Sequence, residues 1–186
     1  MAYVAYKLPQ GMEAGLDETV FYEPHGMGAP NGCHAAVVEV DVETGLVKIL
    51  DYVAVDDVGK LINPMLCHGQ MHGGIAQGIG QALYEGVDYD ESGQLLTGSL
   101  LDYTFPKSEQ IPRMRTSFQI TPSPTNPLGV KGIGEAGCVG APPAIVGAVC
   151  DALKPFGITH VDMPLTPPRV WHAIEAARQS SGGKLQ

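Results

Sequence analysis

Between residues 64 and 84, Met65, Met71, Ile75, Ile79 and Leu83 recur at near-helical spacing, interleaved with Gly69, Gly73, Gly74, Gly78 and Gly80. Apolar residues three and four apart predict one helix with a single buried stripe. Each glycine inside a helix costs about 0.5–1 kcal/mol relative to alanine. A helix with this many glycines makes sense only if something closes on its backbone: a second helix, a ligand, or both. The helix therefore belongs in a packed layer.

The elements around it are mixed. Residues 33–42 and 46–55 are β-rich and flank Glu43, Thr44 and Gly45, which predicts a hairpin. Glu39, Asp41, Lys48 and Asp51 alternate with apolar neighbours, giving one wet and one buried face. A second hairpin is expected over 87–97, turning at 91–93, and a strand over 114–121. Helices are expected at 142–153 and 167–179, the latter capped by Thr166 with Pro167 and Pro168 in its first turn. There is no regular β-α-β alternation, so the expected class is α+β, a mixed sheet with packed helices. The expected organisation is an irregular N-terminal arm (1–32), one domain (33–179) and a frayed tail (180–186).

Charge and composition exclude several functions. The net charge is −9, with only 11 Lys and Arg, scattered along the chain. Nucleic-acid binding needs clustered cations, so it is not expected. No run approaches the roughly 18 apolar residues of a membrane span, and no secretory leader is visible, so a cytoplasmic location is expected. Cys33, Cys67, Cys138 and Cys150 occur singly, unlike the close spacing of zinc or iron–sulfur ligands.

Chemistry concentrates in residues 124–143, where Gly129, Gly132, Gly134, Gly137 and Gly140 surround one carboxylate, Glu135. Glycine lets backbone press against a large ligand. Glu135 reads equally well as a general base or as a helix-start carboxylate stabilised by backbone N–H groups. Ala141, Pro142 and Pro143 mark an expected helix start. Residues 132–137 match G-x-G-x-x-G, but a proline-rich loop precedes them, so a dinucleotide fold is not indicated. His68 and His72 share a helical face without the intervening glutamate of a zincin, so packing or hydrogen bonding is expected of them. No metal ligand is assigned. His25, His34, His160 and His172 stand alone and are read as structural. Gln70 offers two donors and an acceptor, which suits a polar heterocycle or phosphate.

Three segments together resemble the molybdopterin-binding large subunit of the molybdenum hydroxylases, the xanthine dehydrogenase, aldehyde oxidoreductase and aerobic carbon monoxide dehydrogenase family. They are Val55-Asp-Asp-Val-Gly-Lys-Leu-Ile-Asn-Pro64, residues 69–83, and residues 121–143 with Lys131-Gly-Ile-Gly-Glu-Ala-Gly137 at their centre. Residues 162–171 are similar as well, and the likeness covers about residues 20–177. It implies the family's C-terminal cofactor-binding fold and Glu135 as the base beside molybdenum, promoting attack of water-derived oxygen on an aldehyde, N-heterocycle or similar small substrate. It implies that Gln70, with Gly73 and Gly74 behind it, contacts the pterin, and that Lys131, Gly132, Ile133 and Gly134 line the cofactor. The implied cofactor is molybdopterin, in dinucleotide form, with molybdenum. [2Fe–2S] clusters and FAD are expected on partner subunits, beside the remainder of the large subunit. The family's second glutamine, its arginine-bearing loop and its substrate pocket are not in this sequence. A split subunit or fragment, silent without its partner chains, is therefore expected; the alternative is a non-catalytic assembly or scaffold module. Residues 151–157 and 162–165 are particularly similar to the carbon monoxide dehydrogenase branch, which does not assign the substrate.

Overall fold

Residues 31–40 and 47–57 are rich in β-branched side chains and pair as antiparallel strands, β1 (Asn31–Val40) and β2 (Val47–Asp57). The computed structural model describes residues 3–13, 15, 19–23 and 25–182. The register shifts between Val37 and Val38, so Leu50 on β2 has no partner. This bulge carries out a specific task. Val47 and Ile49 face inward before it and Tyr52, Ala54 and Asp56 after it, a change of parity that an unbroken strand could not make. The connecting turn needs Gly45, whose φ is +73° and whose added Cβ would lie 2.1 Å from the Pro167 carbonyl oxygen.

β3 (Met114–Phe118) adds to the other edge of β2 in parallel, Tyr52 opposite Met114 and Asp56 opposite Phe118. A parallel partner requires a long crossover, and that crossover contains α1 (Pro64–Leu83). Asn63 caps α1 by accepting a hydrogen bond from Leu66 N–H at 3.3 Å. α2 (Ala136–Leu153) lies against α1 and β1, and α3 (Pro167–Gly182) completes the chain. Tyr52, Met71, Ile75, Ile79, Ile145, Val149 and Ile174 form the centre of the core. The class is α+β with a mixed sheet, as the sequence leads one to expect.

The glycines of α1 divide into three sets, one of them Gly80 alone, where a Cβ would lie 2.1 Å from Glu85 Oε1 and 2.9 Å from Pro106 Cδ. A Cβ on Gly74 would lie 3.0 Å from Cys138 N, and one on Gly78 would lie 2.6 Å from the Ala141 Cβ. From the other side, a Cβ on Gly137 would come within 2.7 Å of Met71 O and 2.9 Å of Ile75 N. These glycines let α2 touch the α1 backbone. Gly69 and Gly73 have nothing within 4 Å of an added Cβ, so helix packing does not explain them.

Four elements differ from the sequence expectations. α2 starts at Ala136 instead of 142 and takes Pro142 and Pro143 inside it. Each proline forgoes one N–H donor and disfavours helical backbone before it, but Ala141 and Pro142 are buried against Gly78, and that packing outweighs the local preference. The 87–97 hairpin reduces to one bridge, Tyr89 with Leu95, its turn held by Asp90 accepting from Ser92 and Gln94 N–H. The strand expected to reach 121 stops at Phe118. α3 continues to Gly182, and residues 183–186 of the expected tail lie outside the described residues. Among the described residues, 136–156 is the one helical stretch long and apolar enough to cross a bilayer, yet its Ala141, Ile145, Val149 and Leu153 fill the core.

Candidate functional site

Asp57, at the end of β2, is the anchor of the glycine loop. Its Oδ1 accepts from Gly59 N–H at 2.9 Å and Thr121 N–H at 3.1 Å, and its Oδ2 accepts from Lys131 Nζ at 2.9 Å. These hydrogen bonds, that to Thr121 first and Lys131 next, hold the Asp57 carboxyl far below the usual carboxylate range. Backbone bonds continue the attachment, with Lys131 N–H donating to Val58 O and Lys60 N–H to Gly129 O, both at 2.9 Å. The Lys131 ammonium is therefore committed to Asp57, and its side chain is only 13 % exposed. Beyond this knot, Gly132 N–H donates to Gly28 O at 2.9 Å, which lays the end of the N-terminal arm along the loop.

The sign of the pH effect follows. The folded carboxyl lies below the unfolded value near 3.9, so its stabilisation is complete above that value and is lost as pH falls through the folded one. Thermal melts should show the native chain losing stability steeply below about pH 4. Asp57→Asn should be less stable at neutral pH but flatter across the acid limb.

Past Lys131 the loop presents its backbone outward. Ile133 is half-buried against the core, while Gly132, Gly134 and Glu135 are exposed. Gln70, from α1, donates from Nε2 to Gly134 O at 2.7 Å, a contact between residues 64 positions apart. Glu135 occupies the N-cap position of α2, where its carbonyl accepts from Val139 N–H at 2.9 Å. Its carboxylate makes no capping hydrogen bond. Of the two readings left open by the residues, the capping one lacks its defining contact.

The Glu135 side chain lines a cavity of about 780 Å³. Gly132 and Gly134 of the loop, Val139 and Pro143 of α2, and Cys33, His34 and Asp56 of the sheet line it as well. Of the other residues picked out from sequence, Gln70 meets this lining through Gly134, and Gly73 lies open on the same helix one turn on. Gly74 is buried in the α1–α2 contact, and Lys131 is behind the loop. His68 Nδ1 and His72 Nε2 lie 2.9 and 3.1 Å from Thr116 Oγ1, so this pair fastens α1 to β3.

His34, Tyr52 and Asp56 form a cluster that was not singled out from sequence. His34 Nδ1 is 2.8 Å from the Tyr52 hydroxyl and Nε2 is 3.0 Å from Asp56 Oδ2. Burial first, and then the Asp56 charge, push the Tyr52 hydroxyl far above its ordinary pKa. It keeps its proton and can donate it to Nδ1, leaving Nε2 as the donor to Asp56. A detectable sign existed: His34 is in phase with inward-facing Ala36 and Val38 on β1, and Asp56 with Tyr52 and Ala54 on β2.

Comparison with known proteins gives the family. Residues 1–112 match the family model of the molybdopterin cofactor-binding domain, and the chain belongs to that family. Among its relatives, the carbon monoxide dehydrogenase large chain of Hydrogenophaga pseudoflava is 39 % identical over 94 % of this chain and 22 % of its own length. The nicotine 6-hydroxylase large subunit of Paenarthrobacter nicotinovorans is 42 % identical, covering 91 % of this chain and 21 % of the relative. The crystal structure of quinoline 2-oxidoreductase from Pseudomonas putida 86 superposes with a TM-score of 0.84 at 44 % identity, over 94 % of this chain and 22 % of that one. The chain thus spans about one fifth of the length of the relatives it matches. The molybdenum hydroxylase resemblance read from the motifs is borne out at the level of the family.

Proposed function

We propose that this chain forms part of the catalytic subunit of a molybdenum hydroxylase, with Glu135 as the active-site base in oxidation of an aldehyde, N-heterocycle or similar small substrate by water-derived oxygen. The observation that carries this reading is the placement of Glu135. Glu135, at the head of α2 and without a capping hydrogen bond, follows a glycine loop and lines a wide cavity.

The residues fit the cofactor that the family binds. Gly69, Gly73 and Gly134 all leave open space where a side chain would stand, and Gln70 sits among them tied to Gly134 O. Such a ledge of bare backbone beside an amide suits a flat polar ring system approaching closely. Gln70, Gly73, Gly132, Ile133 and Gly134 would hold the molybdopterin. Gly74 and Lys131 act from behind, the first by admitting α2 and the second by fastening the loop to Asp57. The bound cofactor, in its dinucleotide form, supplies the two-electron acceptor and the metal that makes water-derived oxygen reactive. Glu135 would hold the proton released from the attacking water on its carboxylate, and the cavity walls would keep the substrate beside it.

In this reading residues 33–179 are the cofactor-binding unit, with 1–32 as an arm and 180–186 as a tail. The remainder of the large subunit, an iron–sulfur subunit with [2Fe–2S] clusters and an FAD subunit complete the enzyme. Two relatives act, by their names, on N-heterocycles, nicotine and quinoline, which supports that substrate class. The test is co-expression with the products of neighbouring genes, followed by molybdenum and pterin analysis of the purified complex. Near-stoichiometric metal is expected, and a complex devoid of both would defeat the proposal. Gly73→Leu should cut retained molybdenum severalfold while the melting temperature does not fall, because an added Cβ meets nothing within 4 Å and leaving glycine favours the helix.

A further inference from the structure

The Glu135 carboxylate has no hydrogen bond to its own helix, so its position depends on where the first turn of α2 rests. The turn that follows it, at Gly140, rests on His34. A methyl group at Gly140 would lie 2.5 Å from both Nδ1 and Cε1 of the ring and 2.7 Å from Cγ, so the bare Cα of Gly140 sits against the imidazole. The ring itself is fixed from below. Its side chain is 3 % exposed, with one nitrogen on the Tyr52 hydroxyl and the other on Asp56. Asp56 is held close in turn, because β1 passes it at Gly32, where a Cβ would lie 2.1 Å from Oδ1. A chain of contacts thus runs from the β2 backbone through Asp56 and Tyr52 to the His34 ring, to Gly140, and back along about one and a half helical turns to Glu135. Both ends of the chain face the same cavity.

We propose that His34 is a positioning residue for Glu135: locked between Tyr52 and Asp56, its ring sets the height and tilt of the N-terminal end of α2 and so fixes where Glu135 stands at the cavity wall. This rests on the reading of Glu135 as the base. A packed ring held by two hydrogen bonds has one orientation, which gives the helix end one seat. Displacement of a catalytic group by about 1 Å can cost on the order of 10²-fold in rate, so the seat matters to chemistry well before it matters to folding.

The test uses the assembled, cofactor-loaded complex with His34→Ala, His34→Gln, Gly140→Ala and Glu135→Gln, and with His34→Ala and Gly140→Ala each combined with Glu135→Gln. His34→Ala should lower kcat by about 10–100-fold with KM and molybdenum content nearly unchanged. His34→Gln, which keeps a donor for Asp56, should recover most of that loss. Gly140→Ala, which pushes on the ring from the helix side, should reproduce it. Hydrogen exchange provides a readout independent of activity: amides of residues 136–140 should exchange faster in His34→Ala, those of α1 and β2 at native rates. In the Glu135→Gln background either substitution should add little further loss. Full additivity there, or unchanged exchange at 136–140, would overturn the positioning role. If His34→Ala prevents assembly, Gly140→Ala and His34→Gln decide between the same outcomes. An inactive Glu135→Gln alongside a fully active His34→Ala refutes this inference alone. A fully active Glu135→Gln refutes the assignment of the base beneath it.

Discussion

Glu135→Gln should lower kcat of the assembled complex by about 10²–10⁴-fold, the range contributed by a positioned general base. Glutamine matches glutamate in size and reach but cannot take up the proton, so the change isolates proton transfer from shape. Two features of the structure make the experiment clean. The carboxylate makes no capping hydrogen bond, so its loss leaves no N–H group of α2 without a partner it had before. The side chain is exposed, so no packing is disturbed. What remains is loss of a negative charge near a helix N-terminus, worth about 0.3–1 kcal/mol. Molybdenum content should stay near native and the melting temperature should fall by about 1–4 °C. Turnover collapsing with the metal retained is the expected pattern. Normal turnover would remove Glu135 from the chemistry.

The parts of the fold that were legible in the sequence are those with a regular period. The 64–84 helix and the hairpin of β1 and β2 announce themselves through apolar spacing and a glycine turn, and both form nearly where expected. The five glycines of the helix also announce a close approach, but not its partner. Spacing along one helix cannot tell that Gly74 and Gly78 face α2 while Gly69 and Gly73 face open space. The start of α2 was hidden for a different reason. Pro142 and Pro143 obey a strong local rule for helix starts, and burial of Ala141 and Pro142 against α1 overrides it. Local preferences are worth less than a packed contact.

The site divides in the same way. Glu135 and Gln70 stand out because each lies in a motif, and the bond from Gln70 to Gly134 brings the two motifs together. The cluster of His34, Tyr52 and Asp56 has no motif. Its members come from two strands, and antiparallel pairing sets His34 beside Ala54, between Tyr52 and Asp56 on the same face. That arrangement depends on the register set by the bulge at Leu50, which no single-strand pattern reveals. A histidine and an aspartate on the inward phase of their strands were the available clue, since each breaks an otherwise apolar pattern.

Gly137→Ala tests the contact on which both the core and the site depend. A Cβ at this position would fall 2.7 Å from Met71 O and 2.9 Å from Ile75 N, and both are helix backbone that no rotamer change can move aside. Relief requires α1 and α2 to separate, which loosens Gly74 and Gly78 against Cys138 and Ala141 along the same seam. Overpacking of this kind costs about 1–3 kcal/mol, and in a chain of this size the upper end lowers Tm by about 6–12 °C. Gly73→Ala, one residue before the seam, is the control. Nothing lies within 4 Å of its added Cβ, so it should stabilise the free chain by about 0.5–1 kcal/mol through helix propensity alone. Opposite signs from the same chemical change on two packed helices would follow from geometry and not from glycine content. The consequence reaches the site as well, because Gln70 is carried by α1 and Gly134 leads directly into α2. Helices pushed apart stretch the bond between them, so Gly137→Ala should also lower cofactor retention in the complex. Equal stability of the two variants in urea or thermal melts would show that the close helix crossing does not constrain this fold.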